Sequence, residues 1–352
     1  MKDKTKYIIP PDCTIIKALK RMDELVCKLL IVMNGDDYLG LLSGGDIQRS
    51  IIKNASLEDK VEGIMRTNQT VARTTDSHEA VKELMISKRT EFMPILDDDN
   101  NLTSIVFWED IFGEEKRITT QIDLPVIVMA GGKGTRLKPF SNILPKPLFP
   151  LGEKTILEEI LDRFETAGSK KFYLSVNYKA DFIKSYIDQI EATTYDITYF
   201  KEDKPLGTAG SLSLLKDKIK ERFFVSNCDI VISANYSEIV DYHVKEGNEI
   251  TLVGAFKHIK IPYGTLVTDE EGSLKELKEK PEMTYLVNSG LYILEPHLLE
   301  EIPEDSFYHI TDLIDSVKDR KGKVGVFPVS EKSWCDIGEW DEYRRTLELL
   351  KH

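Results

Sequence analysis

Short apolar runs closed by acidic turns mark the first third of the chain. Leu29-Leu30-Ile31-Val32-Met33 leads into Asn34-Gly35-Asp36-Asp37, then Leu39-Gly40-Leu41-Leu42 and Asp46-Ile47. Some 63 residues later Phe92-Met93-Pro94-Ile95-Leu96 leads into Asp97-Asp98-Asp99-Asn100, then Leu102, Ile105-Val106 and Asp110-Ile111. Each unit predicts strand, acidic turn, strand, then a helix starting at an Asp. Before each, around Ile15–Met22 and Ser77–Lys88, apolar residues recur at helical spacing. Glu114-Glu115-Lys116-Arg117 through Gln121 is polar and reads as a linker. At Pro125 the texture changes: Pro125-Val126-Ile127-Val128-Met129-Ala130 is continuously apolar, as a strand buried on both faces of a parallel sheet should be. Strand-like segments (Phe172–Val176, Ile197–Phe200, Phe223–Val225, Ile250–Ala255, Leu291–Leu294) then alternate with helix-like ones such as Ile156–Ala167 and Ala180–Gln189. That alternation predicts an α/β domain with a Rossmann-like sheet and ligands at the carboxyl ends of its strands.

The repeated unit at the front resembles a tandem pair of cystathionine-β-synthase (CBS) domains, an α+β module. Val61-Glu62-Gly63-Ile64-Met65 stands where that family enters its second repeat. The expected organisation is a CBS pair over 1–117 (repeats about 1–60 and 61–117), a linker over 118–124, and the mixed-sheet α/β domain over 125–352. The resemblance implies two clefts able to take an adenine nucleotide, with Asp46 and Asp110 as candidate ribose contacts. Asp also favours helix N-caps, so both positions equally read as caps.

Composition narrows the function. Hydrophobic residues at 41% and charged residues at 30% are ordinary for a soluble globular chain. A net charge of −13 argues against nucleic acid or anionic membrane as partner. Neither a signal-peptide pattern at the start nor an apolar run near the ~20 residues of a membrane span is found, so a cytoplasmic location is expected. Cys13, Cys27, Cys228 and Cys335 lack zinc-type or CxxC spacing and read as reduced thiols. The six histidines show no metal spacing and receive no role.

In so acidic a chain, placed cations become informative. After the first buried strand comes Gly131-Gly132-Lys133-Gly134-Thr135-Arg136-Leu137-Lys138-Pro139, whose glycines let backbone N–H groups approach phosphate oxygens. It is neither G-x-G-x-x-G nor G-x-x-x-x-G-K-[ST]. Ten residues beyond Arg136, prolines on both sides restrict the backbone around Lys146. From Ala130 through Gly152 the run AGGKGTRLKPFSNILPKPLFPLG resembles the signature of the sugar-1-phosphate nucleotidyltransferases, the nucleoside-diphosphate-sugar pyrophosphorylases.

That resemblance implies transfer of a nucleoside monophosphate to a sugar 1-phosphate with release of pyrophosphate and help from Mg²⁺. Ala130, Gly131, Gly132, Gly134 and Thr135 would wrap the triphosphate, Arg136 would bind the departing pyrophosphate, and Lys146 would hold phosphate oxygens. Leu206-Gly207-Thr208 resembles the base-contacting loop. Asp229 and Asp336, in Asn227-Cys228-Asp229 and Trp334-Cys335-Asp336-Ile337-Gly338, would be the metal carboxylates. Glu279-Lys280-Pro281 resembles the sugar-phosphate element, Lys280 being a second catalytic cation and Glu279 a sugar-hydroxyl acceptor. Asn288 and Gly290 resemble the N-x-G sugar contact, and Tyr263-Gly264 would line the same pocket. Cys228 departs from the family, which usually has Gly before the metal Asp. Cys228 and Cys335 both adjoin proposed metal carboxylates, which predicts inhibition by thiol reagents or Zn²⁺.

No hexapeptide β-helix follows the last motif. The fusion of a CBS pair to this domain resembles the guanylyltransferases that make GDP-glucosamine for bacterial legionaminic acid synthesis, implying GTP and glucosamine 1-phosphate. Other sugar 1-phosphates, or UTP, CTP and dTTP, remain open. The flat CBS pair also implies a homo-oligomer. A different class, a CBS nucleotide sensor with an inactive transferase domain, should have lost the cations and carboxylates that this chain keeps.

Overall fold

Leu29–Asn34 and Phe92–Leu96, the two apolar runs of the first unit, each form the buried middle strand of a three-stranded sheet. The computed structural model describes residues 4–25, 27–53, 55–67, 71–88, 90, 92–107, 121–190 and 195–349, and the chain divides into units Met1–Ile118 and Thr119–His352. In the first unit β1 (Ile8–Ile9) pairs parallel with β2 (Leu29–Asn34), which pairs antiparallel with β3 (Asp37–Ser43). The pattern repeats in β4 (Ala72–Arg73), β5 (Phe92–Leu96) and β6 (Leu102–Phe107). Tyr7 meets Phe92 edge-on at 5.4 Å and Phe92 meets Phe107 at 5.7 Å, so the two repeats share one apolar core.

The first repeat corrects one expectation. The helix after β3 spans Gly44–Ile52, and its N-cap is Ser43, not Asp46. Ser43 and Asp46 form a reciprocal capping box, each bonding the other's backbone N–H. Asp110, its counterpart in the second repeat, lies outside the described residues.

The second unit is built on a seven-stranded mixed sheet. Its members are β7 (Val126–Met129), β10 (Lys171–Val176), β11 (Asp196–Lys201), β12 (Phe223–Asn227), β14 (Ile250–Lys260), β17 (Glu282–Leu294) and β18 (Val324–Val329); between β7 and β10 a small hairpin pairs β8 (Pro150–Leu151) with β9 (Lys154–Thr155). The order is β11-β10-β7-β12-β17-β14-β18, with β17 alone running against the others. Val126, Ile127 and Val128 are fully buried, as a central strand covered on both faces requires. Parallel β7 and β12 lie side by side, so the loops after Met129 and Asn227 emerge at the same edge.

Two strands outrun their predicted lengths. The stretch expected at Leu291–Leu294 is the end of a thirteen-residue strand, and the one expected at Ile250–Ala255 continues to Lys260. Their outer parts mix charged and apolar residues and are only partly buried, so they show no apolar run. Between them lies an unforeseen hairpin, β15 (Thr265–Thr268) with β16 (Leu274–Lys278). A further short pair joins β13 (Ile230–Ile232) to β19 (Trp334–Asp336), with Ile230 opposite Asp336. No helix among the described residues is long and apolar enough to cross a membrane.

The helix Ile156–Ala167 buries Ile156, Leu157, Ile160, Leu161 and Phe164 against the sheet. It starts at Thr155, whose hydroxyl accepts from the Glu158 N–H while Glu158 accepts from the Thr155 N–H. Tyr186 donates to the same Glu158 carboxylate at 2.6 Å. Replacing Thr155 by Ala removes the cap at a cost of about 1 kcal/mol. For a unit of this size the expected drop in Tm is about 2–4 °C. Calorimetry of the Thr155→Ala protein checks this, and an unchanged Tm would mean that Glu158 and Tyr186 hold the helix start without it.

Candidate active site

The polar loop after β7 is placed by a conflict between backbone and side chain. Gly134 takes φ +59°, and a Cβ there would come within 3.1 Å of the Lys146 Cβ. Only glycine lets the loop lie this close over the lysine. Lys146 opens a short 3₁₀ turn between Pro145 and Pro147, and its side chain is only 9% exposed. Its Nζ donates to Asp229 Oδ2 at 2.6 Å. A buried ammonium needs such a partner, because an unpaired charge away from water costs several kcal/mol. The pair bridges the loops that follow β7 and β12.

The loop carrying Lys146 is braced from two sides. Tyr178 donates to the Ser141 carbonyl at 3.1 Å and Lys179 to that of Asn142 at 2.7 Å. Opposite, Trp340 meets Phe140 edge-on at 5.2 Å and donates its indole N–H to the Lys138 carbonyl at 3.4 Å.

Asp336 is brought beside Asp229 by the β13–β19 pairing. The Ile337 N–H donates to the Asp229 carbonyl at 2.7 Å, and the Gly338 N–H to Asp336 Oδ1 at 2.7 Å. Burial, with a smaller contribution from the Asp229 charge, lifts the Asp336 carboxyl above its ordinary pKa. Asp229 and Asp336 line a polar cavity of 210 Å³ together with Arg136, Asn288, Gly290 and Trp334. Gly290 has φ +88°, and a Cβ there would meet Asn227 Nδ2 at 2.7 Å. Asn288 donates to the Tyr292 hydroxyl at 2.8 Å and accepts from the Gly290 N–H at 3.1 Å. Arg136 is largely exposed, its nearest acid being Glu339 at 3.7 Å.

Leu206 caps, and Gly207 and Thr208 open, a one-turn helix over Gly207–Gly210. The N–H groups of Ala209 and Gly210 donate to the Tyr308 carbonyl, and Thr208 Oγ1 accepts from the Ile310 N–H at 3.0 Å. Glu202, which sequence reasoning missed, ties this segment to β10 and lies beside Gly131. Its buried carboxylate accepts from the Leu206 N–H at 3.0 Å and from Ser175 Oγ at 2.8 Å, and a Cβ on Gly131 would stand 3.5 Å from it. An acid directly after the strand Ile197–Phe200 was the available signal, the same one that singled out Asp229. Ala130 is buried, with its N–H on the Ser175 carbonyl; Gly132 faces open space and Thr135 opens a 3₁₀ turn.

The remaining predicted residues stand elsewhere. Glu279 lies against Gly264, where a Cβ would be 2.9 Å from its Oε2, and Tyr263 is exposed. Lys280 takes φ +46° and makes no hydrogen bond or ion pair among the described residues. All four occur where the β15–β16 hairpin joins β14 and β17, and none lines the cavity of Asp229 and Asp336. The two thiols differ: Cys228 is buried, which pushes its pKa up to about 12 and keeps it protonated, whereas Cys335 is half-buried. Glu249, His297 and Glu301 form a cluster of metal-ligating types, but Arg320 already bonds both carboxylates.

In the first unit Asp46 is fully engaged. It accepts from Arg66 Nε at 2.5 Å, from Ser43 Oγ at 2.6 Å and from Arg49. Burial opposes its ionisation, yet these bonds hold its pKa below the ordinary value. A ribose hydroxyl would have to compete with two arginines for this carboxylate.

Residues 125–351 match the family profile described as Nucleotidyl transferase, and residues 61–116 the one described as CBS domain. Mannose-1-phosphate guanylyltransferase catalytic subunit beta of Drosophila pseudoobscura pseudoobscura is 34% identical over 183 residues, 50% of this chain and 49% of that protein. Mannose-1-phosphate guanylyltransferase 1 of Arabidopsis thaliana is 28% identical over 235 residues, 64% of each chain. The chain thus spans about half to two-thirds of the length of these curated relatives. Among solved structures, HddC from Yersinia pseudotuberculosis superposes with a TM-score of 0.52 at 27% identity, covering 64% of this chain and 99% of that one. The same protein complexed with GMP-PN gives 0.52 at 26%, with the same coverage.

The depressed pKa of Asp46 sets a pH dependence. A folded-state pKa below the unfolded one stabilises above the unfolded value, and the stabilisation disappears as pH falls through the folded value. Wild type should therefore exceed Asp46→Asn in stability near neutral pH, with the gap closing on acidification below the ordinary carboxylate range. Urea unfolding of both proteins across that range measures the gap; a pH-independent difference would mean that ionisation of Asp46 contributes nothing.

Proposed function

The chain belongs to the nucleotidyl transferase family, and from that premise we propose that its second unit transfers a guanylyl group from GTP to a sugar 1-phosphate, releasing pyrophosphate. The observation that carries this reading is the buried Lys146 ammonium held on Asp229, beside a polar cavity that Asp336 also lines. An anion entering there meets Arg136 in the lining, with Lys146 fixed on the neighbouring Asp229, at the carboxyl edge of parallel strands.

A sugar-phosphate oxygen attacks the α-phosphorus in line. Its new bond forms as the bond to the bridging oxygen breaks, and the electron pair leaves on pyrophosphate. The attacking oxygen is already anionic near neutral pH, since a second phosphate pKa lies near 6, so no general base is needed. Positioning can lower such a barrier by about 7–11 kcal/mol. Lys146, unable to wander, holds oxygens of the reacting phosphates; Arg136, exposed and loosely paired, can follow the departing pyrophosphate.

Asp229 and Asp336 fit a divalent cation. Two carboxylates line one cavity, and burial plus its neighbour's charge leaves Asp336 short of a counter-ion. Mg²⁺ bound there supplies charge neutralisation for the phosphates.

Guanine as the base is supported by the guanylyltransferase names of the relatives, by HddC complexed with GMP-PN, and by Glu202. Guanine offers neighbouring N1–H and N2–H donors on one edge, which a fixed carboxylate accepts together; adenine offers an acceptor at N1. For the sugar, Asn288 and Glu279 supply hydroxyl partners. The CBS fusion supports glucosamine 1-phosphate, and thereby a place in legionaminic acid synthesis; the relatives' names support mannose 1-phosphate as the second reading. We keep as part of this proposal a cytoplasmic, homo-oligomeric enzyme whose CBS pair takes an adenine nucleotide by contacts other than the Asp46 carboxylate.

Pyrophosphate release should be measured with Mg²⁺, crossing GTP, UTP, CTP, dTTP and ATP with glucosamine, N-acetylglucosamine, mannose and glucose 1-phosphates. Turnover confined to GTP with glucosamine 1-phosphate is expected; another sugar would keep the mechanism and remove the sugar assignment. Lys146→Met should lower kcat about 10²- to 10³-fold, the scale of a lost charge-stabilising donor. Silence of folded wild type across the grid would favour the nucleotide-sensor reading. Separately, Glu202→Gln should lower kcat/KM for GTP by about 10- to 100-fold. An equal fall for every nucleotide would assign Glu202 to loop bracing alone.

A further inference from the structure

One buried hydroxyl beside the glycine loop has no partner. Ser141 is 1% exposed, and its Oγ meets no donor or acceptor among the described residues. Such an atom gives up its bonds to water and gains none in return, so a native structure that keeps one calls for a reason. Its neighbours supply one. A Cβ built on Gly134 would stand 3.4 Å from the Ser141 Cβ and 3.1 Å from that of Lys146. Ser141 therefore shares the contact that seats the glycine loop over the lysine.

The segment that carries the hydroxyl is held in place. The Ser141 carbonyl takes the Tyr178 hydroxyl at 3.1 Å, and the Asn142 carbonyl takes Lys179 at 2.7 Å. Ile143 and Leu144 donate their N–H groups to the Phe140 carbonyl at 2.9 and 3.0 Å, and the Phe140 ring packs on Trp340. The loop above it can turn instead, because Gly131, Gly132 and Gly134 open conformations closed to other residues. The Gly134 carbonyl accepts from the Leu137 N–H at 3.0 Å. No described residue donates to the Lys133 carbonyl or accepts from the Gly134 N–H, the two polar groups of the peptide between them.

Peptide geometry decides which partner comes. The C=O and N–H of one trans peptide point in opposite directions across its plane. A Gly134 N–H turned toward a phosphate leaves the Lys133 carbonyl turned away from it, and a carbonyl so turned needs a donor.

We propose that Ser141 is a positioning residue for the triphosphate: its hydroxyl donates to the Lys133 carbonyl and locks the Lys133–Gly134 peptide with its N–H toward a nucleotide phosphate. This rests on the nucleotide reading above, with the glycine loop around the triphosphate. Ser141 acts through the loop and does not touch the ligand. A hydroxyl used in this way contributes nothing to the protein until a polyphosphate turns the loop.

Thermal unfolding and calorimetric titration of full-length wild type and Ser141→Ala, both with Mg²⁺, test it. Without nucleotide the Ala protein should melt at the wild-type temperature or above, since it deletes a bond that is not made. It should bind GTP about five- to tenfold more weakly, the scale of one lost hydrogen bond. Inorganic tripolyphosphate should weaken by the same factor, because the contact serves phosphates and no base. In turnover the KM for GTP should rise by that factor while kcat and the KM for the sugar phosphate hold. Equal binding by the two proteins would overturn the proposal. A Tm lowered without nucleotide would overturn it too, by making the hydroxyl a structural one. Wild type that binds both ligands yet transfers nothing would remove the transferase reading alone, since the binding comparison still decides for or against Ser141. Wild type that binds neither would remove both.

Discussion

A lysine that cannot reach water must find an anion, and that requirement organises the second unit. Lys146 is buried by its flanking prolines and by the close passage of Gly134, and it is satisfied by Asp229. The bond ties the loop after β7 to the loop after β12, which the parallel register had already brought to one edge. From Asp229 the chain continues into β13, whose pairing with β19 carries Asp336 in alongside, and Trp334 of that strand donates to the Ser289 carbonyl of β17. One ion pair thus fixes the meeting point of four segments distant in sequence, and the cavity is what remains between them.

Much of this was legible in the sequence because it rests on local rules. The apolar run Val126–Met129 could hardly be other than a central strand, and glycines directly after it could hardly serve the core. The ends of β14 and β17 were not legible, because strands whose outer parts are only partly buried show no apolar run; their pairing is decided across the sheet. The β15–β16 hairpin escaped for the same reason, although Asp269 through Ser273 is a readable turn. Glu202 belongs to none of the readable motifs, although its position just past a strand marks it. Ser43-Gly44-Gly45-Asp46 is a readable capping box, and reading Asp46 as the cap displaced it three residues from Ser43.

The first unit gives a contrast in how acids are used. Asp46 and Asp229 are both set beside arginine or lysine at the start of a loop or helix. Asp46 is surrounded by Arg66, Arg49 and Ser43 and has little capacity left for a ligand. Asp229 has one cation on one oxygen and keeps a third of its side chain open to the cavity. The difference between a structural and a chemically available carboxylate lies in that remaining capacity, which composition and motif do not express.

The reversed direction of β17 has a consequence for how such a chain can change over time. Every loop that flanks the glycine stretch follows a parallel strand, while Asn288 and Gly290 ride on the one strand that runs the other way, continuous over thirteen residues out to the hairpin. The groups proposed here for a nucleotide and those proposed for a sugar are therefore inherited on separate pieces of backbone. On that reading, substitutions in the outer half of β17 and its hairpin, beyond Ser289 and Gly290 that pack on Trp334 and Asn227, are where a lineage built on this sheet can diversify its acceptors while the edge that carries Lys146 and Asp229 stays fixed.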